Sequence, residues 1–212
     1  VWGFSAKWLP VFLGLRPTLS RTLLAAVGLN SAAIIAVFLG WTRLAVIGLV
    51  ICTVVASAAL RLFARAEKPA KLTGVHSSFP VFIRVSYIWA FVAALLGVWA
   101  AFTSNAHGIW GASRHALTVG FLSTMVFAIG QRVLPAFSGM KVLFSTKLML
   151  AALALLTLGC ALRVSSEVLA YQELVHSAWS WLPVSAITEM TAVTLFAINL
   201  ILTFTSKRPS NS

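Results

Sequence analysis

Residues 81–102 read VFIRVSYIWAFVAALLGVWAAF, and Arg84 is the only charged residue among them. A helix of this length measures about 33 Å at 1.5 Å per residue. The hydrocarbon core of a bilayer is about 30 Å thick. The run is apolar on every side, so no face of the helix is suited to water. In lipid, each backbone N–H and C=O needs a partner within its own segment, which makes an unbroken run of this kind helical.

Five further stretches fit the same template, over residues 22–41, 44–60, 115–131, 148–162 and 182–204. The expected fold is therefore an all-α integral membrane protein, a bundle of about six transmembrane helices. Composition agrees: 60% of residues are apolar and 9% charged, against about 25% charged in a soluble domain. Mean hydropathy is +0.96. Residues 1–18 are apolar but carry Lys7 and Pro10 and are too short to span, so they read as an interfacial or partial segment. Residues 19–206 form the transmembrane domain, and 207–212 a polar cytoplasmic tail.

The net charge of +12 does not point to nucleic acid, because the cations sit at the ends of apolar runs. Anionic headgroups and membrane orientation account for them. With both termini on the cytoplasmic side, thirteen of the 16 Lys and Arg residues face inward, leaving only Arg43, Arg114 and Arg163 outside. Trp41, Trp110, Trp179 and Trp181 then fall at the outer boundary, where an indole sits half in lipid. The expected location is a bacterial inner membrane, crossed several times, with the lipid bilayer as the first partner.

Aspartate is absent, and the acids are Glu67, Glu167, Glu173 and Glu189. Cys52 and Cys160 lie inside apolar runs and read as small buried hydrophobes. No P-loop, GxSxG, HExxH or CxxCH motif occurs. No secretory signal with a small-residue cleavage site is present, and the start at Val1 reads as that of a processed or truncated chain.

Histidine is the informative residue type. His107, His115 and His176 share the outer face, whereas His76 lies in an inner loop. Neutral imidazole is the commonest metal ligand, and axial histidines hold haem iron. His115 is the leading candidate because it starts a helix; its alternative is a solvated interfacial histidine. His107, across a turn containing Gly108 and Gly111, is expected to fold back towards it, and His176 to approach from the far side. On a 3.6-residue wheel His115, Thr118, Leu122, Met125, Ile129 and Arg132 share one broad face, with Gly120, Thr124 and Gln131 opposite. Arg132 lies about 25 Å from His115. It reads as a partner for a propionate or phosphate, or as a snorkelling headgroup anchor.

Glu189 is the one acid well inside a predicted span, where a carboxyl is costly unless protonated, paired or wetted. With Ser185, Phe196, Asn199 and Thr203 it marks a polar seam on one side of the last span. The seam reads as a proton path or site wall, or as interhelical hydrogen bonding.

The segment HALTVGFLSTMVFAIGQRVLPAFSG, residues 115–139, resembles the NnrS family of bacterial membrane proteins. The pieces that carry the likeness are Trp110–Gly111, Arg114–His115–Ala116–Leu117–Thr118, Gly120–Phe121, and the run from Gln131 through Arg132 and Pro135 to Gly139. The resemblance implies a haem- and copper-containing membrane protein linked to nitric oxide metabolism, with His115 a haem b or metal ligand and Arg132 a structural or propionate partner. Members of that family have about twice as many spans, so the chain corresponds to the second half. Three functions follow as expectations. The first is an NnrS-like haem protein, with copper as a further metal, built on His115 with His107 or His176. The second is a cofactor-free accessory subunit packed against other membrane subunits. The third is a small-solute or proton transporter using Glu189.

Overall fold

The computed structural model describes residues 1–137, 139 and 143–206. Lys141, Lys207, Arg208, the tail 207–212 and Ser138 of the NnrS-like segment lie outside the described residues. The chain is all-helical: α1 (Trp2–Leu13), α2 (Ser20–Phe38), α3 (Thr42–Ala59), α4 (Phe79–Phe102), α5 (His107–His115), a π-helical stretch (Ala116–Ser123), α6 (Thr124–Phe137), α7 (Thr146–Tyr171) and α8 (Ala178–Thr205). Six helices are long and apolar enough to cross a membrane, with α5, the π stretch and α6 forming one of them, His107–Phe137. The protein is a six-span integral membrane bundle.

Its outer surface suits lipid. Phe38 is 86% exposed, Ile187 68% and Met190 65%, positions that would cost about 2 kcal/mol each in water. Each span packs on its sequence neighbour. α2 pairs with α3, α3 with α4, α4 with the long fifth helix, that helix with α7, and α7 with α8. A tight turn makes the first pairing: Gly40 adopts φ 78, a left-handed conformation open to glycine. Small residues make the central one. Ala93, Ala112, Ala116 and Cys160 are buried where α4, α5 and α7 meet, which lets three backbones approach closely.

The long connection 60–78, rich in Arg and Lys, marks one end of the bundle, called here the basic end. It is tied to α1: Glu67 and Lys68 donate their backbone N–H to the Gly14 carbonyl, and Lys71 N–H to that of Phe12. Arg16 pairs with Glu67. α1 is not isolated at a surface. Tyr87 Oη donates to Ser5 Oγ at 2.8 Å, and Phe12 packs edge-on against Phe79. Ser5 and Phe12 of α1 thus meet Tyr87 and Phe79 of α4 in antiparallel order.

The basic end of α8 is latched by buried polar groups. Asn199 donates to Gln131 Oε1 at 2.8 Å and to the Ser145 carbonyl at 3.0 Å, and accepts from Ser145 N–H at 3.1 Å. Ser145 in turn caps α7 by accepting from Leu148 N–H.

Candidate functional site

Two helices run further than their hydropathy suggests. α7 continues nine residues beyond the predicted limit of 162, to Tyr171. The charges that ended the predicted span, Arg163 and Glu167, lie one turn apart and pair at 3.2 Å. Pairing lowers the cost of both in lipid, so the helix goes on. Likewise α5 begins at His107, where a turn was expected. His107 and His115 therefore sit on one rigid helix about 12 Å apart and cannot fold together. Gly108 and Gly111 serve close helix packing: a Cβ at Gly108 would meet the Glu167 carbonyl at 2.7 Å, and one at Gly111 the Glu167 carboxylate at 3.2 Å.

The π stretch begins directly after His115. Thr124 N–H reaches the Val119 carbonyl, five residues back. The wider turn breaks the helical wheel: Thr118 and Leu122 face outward while Met125, in the same predicted stripe, is 3% exposed. Gly120, Thr124 and Gln131 are buried. π-bulges of this kind occur mostly at functional sites.

Beside it lies the main cluster of ionisable groups. Glu167 Oε2 is 3.7 Å from His115 Nδ1, within ion-pair range but too long for a hydrogen bond. Its other oxygen meets Arg163. Glu189, on α8, packs on Gly159 of α7, where a Cβ would meet Glu189 Cγ at 2.6 Å. It lies within electrostatic reach of both Arg163 and Glu167. Side-chain exposure falls from 31% at His115 to 9% at Glu167. Arg163 Nε, Glu167 Oε2 and Glu189 Oε1 are buried without a hydrogen-bond partner among the described residues. Unpaired polar atoms cost free energy in a low-dielectric interior.

Seen along α7, the cluster descends from the end of the bundle opposite the basic end. Glu167 is four residues from the helix end, Arg163 eight, and Gly159, level with Glu189, twelve. That is a drop of about 12 Å from Glu167 to Glu189, roughly to mid-bilayer. Below Glu189 the buried seam of α8 changes character. Ala192 follows, buried, then the half-buried Phe196, whose ring stacks on the buried Phe127 with centroids 4.1 Å apart. Asn199 and Thr203 resume the polar seam at the basic end.

The remaining candidates lie elsewhere. His176 lines a shallow pocket with Tyr171, Glu173 and Trp179. His76 Nδ1 is 2.8 Å from Ser78 Oγ. Arg132 donates to the Lys71 carbonyl, and its guanidinium lies 4.3 Å from the Phe12 ring and 5.3 Å from that of Phe79. It pins α6 to α1 and α4. Among the described residues no three His, Cys, Asp or Glu side chains come together to hold a metal ion. A cavity of about 510 Å³ lined by residues of α3, α4 and α5 has no histidine on its wall. His107 and His115, about 12 Å apart on one helix, do not hold one metal ion together.

Arg163 and Glu167 had no place among the sequence candidates, though their i, i+4 spacing was the available signal. No curated protein and no solved structure matches the chain. Residues 11–204 match the model of a family described as a domain of unknown function, DUF8744, and the chain belongs to that family.

Proposed function

We propose that this is a proton-coupled membrane protein that loads a proton from the outer side onto Glu189. It lies in a bacterial inner membrane with its basic end inside, as the excess of Lys and Arg there supports. The observation that carries the reading is the charge balance of the cluster. Two acids, Glu167 and Glu189, lie near one fixed cation, Arg163, which pairs directly with Glu167. An unbalanced charge at this depth costs about 3 kcal/mol. One proton, on His115 or on an acid, makes the cluster neutral. His115, 31% exposed, is the cluster's outermost member. Glu167 passes the proton inward, Arg163 stays charged and orients the carboxyls, and Glu189 ends the path. The Phe127–Phe196 stack closes it, so the proton held at Glu189 is available to a solute or redox step at mid-bilayer and does not leak.

The test is a pH jump on proteoliposomes adsorbed to a solid-supported membrane. The wild type should give a transient charge displacement without sustained current. Glu189→Gln should lose it, and His115→Ala should slow it about tenfold or more. A transient unchanged in Glu189→Gln, or absent from the wild type as expected of an accessory subunit, overturns the reading.

A second reading keeps the NnrS-like resemblance, and one observation favours it. A carboxylate beside one imidazole nitrogen is the arrangement that orients axial ligands. His115 would then hold haem b, with any second ligand coming from another subunit. A haem spectrum near one per chain that His115→Ala abolishes would establish it. A colourless protein with intact charge movement would exclude it.

A further inference from the structure

Glu67 is the only acidic side chain at the basic end: Glu167 and Glu189 lie in the charged cluster, and Glu173 follows the opposite end of α7. Beside Glu67 the loop after α3 and the segment after α1 line a cavity of about 340 Å³. Its charged walls are Arg16, Arg61, Arg65 and Glu67. Arg16 is held by Glu67. The guanidinium groups of Arg61 and Arg65 have no hydrogen-bond or ion-pair partner among the described residues, and the chain has no other acidic side chain at this end to supply one. Backbone bonds fix the frame that carries them. Leu19 N–H donates to the Ala59 carbonyl at 3.0 Å, and the Gly14 carbonyl accepts from Glu67 and Lys68. Gly14, at φ 66, leaves no room for a Cβ against the Lys68 carbonyl. α3 ends in a Schellman motif, in which Arg61 N–H donates to the Ala58 carbonyl and Leu62 N–H to that of Ser57. Glycine usually takes the left-handed position of this motif; here it is Arg61, at φ 53. Leu62 beyond it is fully buried, so the guanidinium is presented from an anchored backbone. Phe63, between the two unpaired cations in sequence, is exposed.

We infer that this cavity binds a phosphate group, supplied by an anionic phospholipid of the leaflet at the basic end, with Arg61 and Arg65 donating to its oxygens. Guanidinium groups match phosphate in both charge and geometry. Arg61 stands two residues beyond Ala59, the last residue of a spanning helix. That is the level of the headgroups, where basic pockets bind phosphate-bearing heads. A soluble phosphate ester would leave Phe63 in water, whereas the acyl chains of a lipid cover it. A zwitterionic head brings its own cation and leaves the excess charge uncompensated. The whole of α1, twelve residues, separates the cavity from Val1.

The test is native mass spectrometry of the purified protein in detergent, titrated with phosphatidylglycerol. One lipid should bind ahead of the rest in a saturable step, and phosphatidylcholine should not take its place. Arg61→Gly removes the guanidinium and suits the left-handed backbone. It should weaken that step roughly tenfold, the loss of one charge-assisted contact, while the melting temperature holds or rises, which separates lost binding from lost folding. Arg65→Gln should weaken the step similarly. Arg21→Gln, an equal change of charge at an exposed position near the same end but outside the cavity, should leave it unchanged. Glycerol phosphate at equal concentration should not displace the lipid. Binding unchanged in both Arg61→Gly and Arg65→Gln, an equal loss in Arg21→Gln, or equal binding of phosphatidylcholine overturns the inference. Displacement by glycerol phosphate overturns it in favour of a soluble phosphate ester, and displacement by a glutamate-rich peptide in favour of an acidic protein partner.

Discussion

Glu167→Ala should lower the midpoint of thermal unfolding in detergent by roughly 10 °C. The carboxylate is 9% exposed and holds Arg163 at 3.2 Å. Removing one member of a buried pair leaves the other charge uncompensated, at a cost of about 3 kcal/mol. In a chain of this size each kcal/mol moves the midpoint by about 2–4 °C. Arg163 Nε already lacks a hydrogen-bond partner among the described residues, and ionisation of Glu189, which makes no direct ion pair with Arg163 there, offsets only part of the loss. The double variant Arg163→Leu, Glu167→Leu should recover most of the midpoint, because it removes both charges and leaves apolar side chains at a lipid-embedded position. The comparison is a double-mutant cycle by scanning fluorimetry. Equal losses in the single and double variants would show that the pair is not the stabilising unit.

Phe196→Ala should convert a closed path into a leak. The ring stacks on Phe127 between Glu189 and Asn199, and Ala192 alone shares the buried seam there. Glu189 and Asn199 are ten residues apart on α8, about 15 Å. Truncation opens a void with polar groups at both ends, the condition under which water enters. An apolar constriction blocks conduction by staying dry. Dissipation of a pH gradient across liposomes should accelerate about tenfold or more, equivalent to lowering the barrier by about 1.4 kcal/mol. Phe196→Leu should stay closed. Wild-type dissipation in the alanine variant would remove the stack from the account.

The spans were legible because lipid imposes one rule on them: about 20 apolar residues without a break. Positions such as 81–102 meet it with no tertiary information. The site was less legible, for three physical reasons. The wheel through His115 assumed 3.6 residues per turn, and the π stretch Ala116–Ser123 shifts every later side chain. Thr118 and Leu122 thus part from Met125. Arg163 was read as a loop charge ending a span, when its pairing with Glu167 carries the helix on to Tyr171. Gly108 and Gly111 looked like a turn because glycine serves both turns and close packing; only the presence of Glu167 and Tyr171 against them decides. Glu189 and Asn199 could be singled out because a carboxyl and an amide inside a span need a reason. What they meet on α6 and α7 is a tertiary fact.

The proposed function requires that the intramembrane cluster hold one exchangeable proton, resting on Glu189. Infrared difference spectroscopy of the membrane-reconstituted protein, stepped in pH, tests it most directly. A protonated carboxyl gives a C=O stretch well separated from that of a carboxylate, and it shifts in deuterated water. The account predicts one such band that titrates, disappears in Glu189→Gln and survives in Arg16→Gln, which alters only the exposed pair with Glu67. No protonated-carboxyl band, or one that persists in Glu189→Gln, would contradict it.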